Sequence, residues 1–236
     1  MRIDKNGNSW LSISEFNIQS YCEVQLKFIW QGIKIKTKQT INGFEIHNEK
    51  FQQFKDQTKD LEDVNIVNAI KRAIKKQERF AGREVFLVSS TFRLIGVVDL
   101  VEIGPEGIVI IDDKPVEYPY LSVKSQLIAY AIAFKDRYRP PLDIYMIVKN
   151  RDKGDIIWED VFSQEWFDFI IEKINRLHEL ALGKREFEPT ANPKKCLSCS
   201  YRNICDKKIL IPPSTTKSSN IKEPRTTNFT KNTPIL

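Results

Sequence analysis

The chain is poor in the residues that build disulfide frameworks and histidine-rich metal sites, with four cysteines and two histidines in 236 residues. It also has no apolar run near the ~20 residues that a membrane-spanning helix needs. The stretches IVII (108–111) and YMIV (145–148) are of strand length and read as buried strands. The opening decapeptide, MRIDKNGNSW, lacks the apolar centre of a secretory leader. These absences predict a soluble, cytoplasmic protein with no membrane partner. In a reducing compartment four cysteines serve more often as ligands than as disulfides. There is no GxxxxGK(S/T) phosphate loop, so any nucleotide-driven motor would belong to another subunit.

What is present suffices for one domain with a sizeable core: 41% hydrophobic and 29% charged residues. A formal net charge of +6 suits a polyanionic partner without identifying one. Ser12 and Glu15 fit a capping box ahead of Phe16, Ile18, Tyr21, Leu26 and Phe28, which predicts a helix over 12–31 ending before Gly32. A second helix is expected from about Glu45, and a third over roughly 64–80, with Val64, Val67, Ile70 and Ile74 at helical spacing. Residues 84–90, 92–103 and 107–114 are β-rich. A helix over 122–136, strands at 143–149 and 155–162, and an amphipathic helix over 164–183 follow. From 212 onward the Thr/Ser/Asn/Pro/Lys-rich composition predicts disorder. The expected organisation is one α/β domain over 1–211 and a disordered basic tail over 212–236.

Asp112-Asp113-Lys114 stands at the end of an apolar strand, so alternation puts Asp112 and Lys114 on one face and Asp113 on the other. Asp99 ends GVVD in the preceding strand, and Gly104-Pro105-Glu106-Gly107 connects the two. If Pro105 and Glu106 form a two-residue loop, Asp99 lies opposite Asp112; a type I turn with Gly107 as a bulge would set it against Asp113. Like charges across a sheet repel. A bound magnesium or manganese ion would reverse that penalty. Such an ion polarises a phosphate and lowers the pKa of a water, with Lys114 free to orient the nucleophile or stabilise charge on the phosphate. His47 could complete the metal sphere, while His178 reads as a surface or packing residue. Gln126 and Tyr130, four apart on the next helix, share a face from which they could contact phosphate, sugar or an unstacked base.

Cys196, Cys199 and Cys205 form a C-x2-C-x5-C run, and Cys22 is far away in the chain. Four thiolates bind either a structural zinc or an iron–sulfur cluster. Zinc sites tend to come as two local CxxC pairs, which this spacing is not. A centre shared by all four would staple the first helix to the C-terminal segment.

His47, the RLIGVVD segment ending at Asp99, Asp112-x-Lys114 and Gln126-x3-Tyr130 resemble, in order, the motif series of RecB-type nucleases of the PD-(D/E)XK superfamily. Cys22 with Cys196, Cys199 and Cys205 resembles their iron–sulfur subgroup, and the compact whole, over about 12–206, looks like the CRISPR-associated Cas-four family. The resemblance implies a restriction-endonuclease-like core in which helices flank a central mixed sheet. It implies Mn2+ or Mg2+ held by His47, Asp99, Asp112 and the backbone carbonyl of Asp113, with Lys114 as catalytic lysine and Gln126 and Tyr130 facing substrate. It implies a 4Fe–4S cluster on the four cysteines. The activity implied is exonucleolytic cleavage of single-stranded DNA during spacer trimming and selection, beside the Cas-one/Cas-two integrase; homo-oligomeric rings occur among relatives. Two departures are Asp112 in place of the more frequent Glu, and YCEVQLKF without the proline that often follows this cysteine. The alternatives are a RecB-like recombination or repair exonuclease and a non-catalytic iron–sulfur DNA-binding adaptor.

Overall fold

The computed structural model describes residues 2–33, 35 and 65–209. His47, the helix expected from Glu45 and the tail over 212–236 lie outside the described residues.

Two short strands that the sequence reading did not anticipate, β1 (Arg2–Ile3) and β2 (Ser9–Ser12), pair antiparallel at the start. The single helix expected over 12–31 is two, α1 (Glu15–Tyr21) and α2 (Glu23–Trp30). Cys22 between them is extended (φ −170°, ψ 117°), which breaks the helical hydrogen-bond ladder. Half of the capping box forms. Glu15 Oε2 accepts from Ser12 N at 3.0 Å, whereas Ser12 Oγ bonds Ser14 Oγ at 2.8 Å. The other oxygen of Glu15 accepts from Trp30 Nε1 at 2.6 Å and ties the two helices together.

The helix α3 (Ile66–Lys76) starts on an Asn65 cap that accepts from Val67 N at 2.8 Å. It buries Ala69, Ile70 and Ala73 and leaves Val67 and Ile74 exposed. Then come β3 (Phe80–Ser89), β4 (Leu94–Gly104), β5 (Gly107–Lys114), α4 (Leu121–Tyr138), β6 (Ile144–Asn150), β7 (Ile156–Val161) and α5 (Gln164–Ala181). A short α6 (Pro193–Leu197) and a 3-10 turn (Arg202–Ile204) close the described chain.

The strands form one seven-stranded sheet in the order β1-β2-β4-β5-β6-β7, with β3 also paired to β4. It is mixed: β4 runs antiparallel to β3 and β5, while β5 and β6 are parallel. A parallel pair needs a crossover, and α4 supplies it. Every residue from Ser122 to Phe134 in α4 is buried, Lys124 and Gln126 included. The expected mixed α/β architecture, a central sheet flanked by helices, is the one observed.

His178 is a packing residue. Its Nδ1 lies 2.7 Å from Ser9 Oγ and its Nε2 lies 3.0 Å from the Phe92 carbonyl, joining α5 to β2 and to the β3–β4 connection. Burial holds its proton affinity below the usual imidazole value. Among the described residues no helix is long and apolar enough to cross a membrane.

Candidate active site

The site grows from the β4–β5 hairpin. Gly104 pairs with Gly107 and Leu100 with Ile111, the register of a two-residue Pro105-Glu106 connection rather than of the bulged alternative. Gly107 is required by close packing: a Cβ there would come 2.5 Å from the Tyr145 ring on β6.

The β4–β5 pairing ends at Leu100–Ile111, one step before Asp99 and Asp112 would meet. Beyond that point β5 stays with β6 as far as Lys114–Asn150. On the same stretch β4 stays with β3, and its far end also meets β2 at Leu94 and Ile95. The sheet therefore forks, and the two acids stand where it opens. Asp99 Oδ2 accepts from the Asp113 backbone N–H at 2.8 Å. Lys114 Nζ lies 3.1 Å from Asp112 Oδ2 in an ion pair, as expected of residues two apart on one strand face. Asp113 turns its side chain the other way, 3.8 Å from Arg83 Nη1.

The opened edge of β4 must satisfy its carbonyls elsewhere. Arg93 and Ile95 carbonyls accept from Leu11 and Ile13. The Val97 carbonyl accepts from Tyr130 Oη of α4 at 2.6 Å. Gly96 admits that ring: a Cβ would lie 3.0 Å from Tyr130 Cε1 and 2.9 Å from Ile13 Cβ. Gln126 Nε2 reaches Tyr130 Oη at 3.4 Å, and its Oε1 accepts from Asn17 at 3.4 Å. Both members of the pair expected to face substrate are thus buried and engaged with the sheet edge and α1.

Asp112 is 1% exposed, and neither carboxylate oxygen has a well-directed hydrogen bond. Burial pushes its pKa up to about 7; the Lys114 charge opposes that rise and Asp99 adds to it. Burial pulls the Lys114 pKa down, but the charges of Asp112 and Asp99 more than compensate and leave it raised. Burial, followed by Asp112, pushes the Tyr130 hydroxyl up as well.

A buried carboxylate whose ammonium partner reaches one oxygen only, at 3.1 Å, beside a second carboxylate, matches the hard oxygen set that Mg2+ or Mn2+ takes. Among the described residues no group of three His, Cys, Asp or Glu side chains gathers as a metal-holding set. His47, the third side chain expected here, lies outside them.

Arg151 is a neighbour of the site that the sequence reading missed. Its N–H donates to the Lys114 carbonyl at 2.9 Å, its side chain is only 8% exposed, and its charge acts against protonation of Lys114. It follows β6, the parallel partner of β5, so pairing 107–114 with 144–150 would have revealed it.

The four cysteines line a single cavity of about 360 Å³, open mouth included, between α2 and the C-terminal segment. They are not disulfide-bonded. Thr190 N donates to Cys22 Sγ at 3.3 Å, Gln25 Nε2 to Cys199 Sγ at 3.2 Å, and Ile209 N to Cys196 Sγ at 3.2 Å. Phe28 of α2 stacks on Tyr201 of the C-terminal segment at 5.3 Å, and a bidentate Arg176–Glu23 pair (2.6 and 2.7 Å) ties α2 to α5 beside the cavity.

The family model of the PD-(D/E)XK nuclease superfamily matches residues 34–206. Among solved structures, a candidate exonuclease from Eubacterium rectale is similar at 12% identity and a TM-score of 0.46, over 91% of this chain and 97% of that one. The protein SSO0001 is similar at 12% identity and a TM-score of 0.46, over 85% and 87% respectively. No curated protein sequence matches the chain.

Proposed function

Because this chain belongs to the PD-(D/E)XK nuclease superfamily, we propose that the β4–β5 fork is the active site of a Mn2+- or Mg2+-dependent deoxyribonuclease that works as an exonuclease on single-stranded DNA. The observation that carries this is Asp112: a carboxylate 1% exposed, both oxygens lacking a well-directed hydrogen bond, beside Asp99 and Lys114. Lys114 offsets only part of the cost of burying that charge next to Asp99, in line with the raised Asp112 pKa, and a cation would offset the rest.

Asp99 and Asp112 would hold the ion, with His47 and the Asp113 carbonyl completing its sphere. When bound, the ion supplies Lewis acidity at the phosphate and a water of lowered pKa. Lys114, kept protonated by the two acids, donates to the phosphate oxygen on which charge develops. Asp99, fixed by the Asp113 N–H, holds its carboxylate at the mouth of the fork.

The four cysteines are proposed to bind a 4Fe–4S cluster. The sulfurs of Cys22, Cys196 and Cys199 already accept N–H donors, the usual environment of cluster thiolates. One remote cysteine, Cys22, joined to the C-x2-C-x5-C run around a shared cavity departs from the two local CxxC pairs of a structural zinc site, which favours the cluster. With that centre the chain is a single domain over 1–211 with an appended tail. The resemblance to the Cas-four family favours work in spacer trimming beside the Cas-one/Cas-two integrase; a RecB-like repair exonuclease would use the same site.

The test is digestion of end-labelled single-stranded DNA with Mn2+ by the wild type and Asp99→Ala side by side. The wild type should shorten the strand stepwise from an end. Asp99→Ala should leave it intact while keeping the wild-type circular dichroism spectrum. Equal digestion by both would remove the fork from the chemistry.

A further inference from the structure

Four residues after Lys114, the chain exposes two tyrosines that nothing in the catalytic scheme uses. Tyr118 is 67% exposed and Tyr120 is 55% exposed, with ring centroids 6.3 Å apart and planes at 69°. Large aromatic rings are left in water at a cost in hydrophobic free energy, so an exposed pair on a fixed loop calls for a reason.

The loop is held at both ends. Asn150 Nδ2 donates to the Val116 carbonyl at 2.9 Å, and Lys153 pairs with Glu117 at 2.9 Å. Tyr120 N donates to the Tyr118 carbonyl at 2.9 Å, and the Tyr120 carbonyl receives the first N–H groups of α4, from Val123 and Lys124. Pro119 between them restricts the backbone further. The rings thus stand on a fixed base, which limits the ordering entropy that binding must overcome.

Position says what they hold. A chain of four residues spans at most ~14 Å, so Tyr118 stays within that distance of Lys114. Any base it meets therefore belongs to a nucleotide close to the scissile phosphate. A tyrosine ring has no sequence preference, because every base presents a π-face, but it demands an unstacked base. Within duplex DNA every base is stacked on both faces, and only its ends expose one.

We propose that Tyr118 and Tyr120 form a base-stacking platform that seats an unpaired base of the strand beside the β4–β5 fork and so sets the preference for single-stranded over duplex DNA. This rests on the nuclease reading of that fork and adds residues that the motif series does not contain.

The experiment is fluorescence-anisotropy binding of a labelled oligodeoxynucleotide to the full chain at fixed salt, with no divalent cation added. It compares wild type, Tyr118→Ala/Tyr120→Ala and Tyr118→Phe/Tyr120→Phe, each checked for a wild-type melting profile. The alanine pair should weaken binding of the single strand roughly 5- to 100-fold. The phenylalanine pair, which keeps the rings, should bind as wild type. On a strand made abasic at its terminal nucleotides, wild type and the alanine pair should bind alike. A wild-type affinity in the alanine pair, or an equal loss on the abasic strand, would overturn the platform. Tyrosine-dependent binding without any cleavage when Mn2+ is restored would sink the nuclease reading and leave the platform standing. Normal digestion with no tyrosine dependence would do the reverse.

Discussion

The β4–β5 fork and the cysteine cavity each gather chemically reactive side chains, and they are built in opposite ways. The fork comes from one hairpin, residues 99–114, whose geometry follows from a two-residue connection and strand alternation. The cavity joins Cys22 to residues 196–205, and one of its hydrogen bonds spans 174 residues of chain. The fork also holds a carboxylate whose burial Lys114 only partly offsets, so it stores unfavourable electrostatics that a ligand would relieve. The cavity carries N–H donors already aimed at its sulfurs, so whatever fills it reinforces the packing of two chain ends. One region uses stability and the other supplies it.

Breaking the cavity should therefore have the larger effect on the fold. Cys22→Ala should remove the ~400 nm absorbance of a thiolate-bound cluster and lower unfolding free energy by several kcal/mol, read by denaturant titration with the absorbance followed in parallel. A variant as stable as the wild type would mean that the cavity is no staple and would erase the contrast.

The fork should respond to pH in the opposite sense from an ordinary acid. The Asp112 pKa is raised from 3.8 to about 7 in the folded state. The folded protein therefore holds this proton more tightly than the unfolded chain does. Its contribution to stability is fully present below about 4 and is lost as pH rises through about 7. For the metal-free protein the loss between pH 4 and 8 should be on the order of 4 kcal/mol, and Mn2+ should restore it above pH 7. Asp112→Asn should flatten this slope and abolish the Mn2+ response. Melting temperatures across that range, with and without the ion, decide the matter; a slope unchanged by Asp112→Asn would assign it to other groups.

The smallest effect tests the boundary between scaffold and chemistry. Tyr130→Phe deletes the hydroxyl that satisfies the Val97 carbonyl and should cost about 1–2 kcal/mol of stability. If Tyr130 also contacts substrate, digestion at saturating enzyme should slow by more than the unfolded fraction explains. A rate that merely follows the folded population would make Tyr130 a purely structural residue.

The comparison also explains what the sequence revealed. The bounds of β5 and the shared face of Asp112 and Lys114 were legible because side-chain alternation is a local rule, whereas the sequence left two registers on β4 open and the structure selects the two-residue connection. The break at Cys22 was not: Tyr21, Glu23 and Val24 suit a helix, and the extended turn gains its reason from Cys196, Cys199 and Cys205, far along the chain. Val67 and Ile74 fit a helical stripe, yet α3 packs through Ala69, Ile70 and Ala73, because close approach to the sheet favours small side chains. Arg151 reaches the site only through the parallel pairing of β5 with β6, which skips a whole helix.

By itself the sequence determined which strand bears Asp112 and Lys114 and that they share a face, since a side-chain period of two leaves little freedom. The tertiary structure alone decided that the β4–β5 pairing stops one residue short of Asp99 and Asp112. It also decided that Tyr130 fills the opened edge and that burial lifts the Asp112 pKa toward neutrality. Those features depend on which distant segments exclude water from the fork, and no local pattern encodes that.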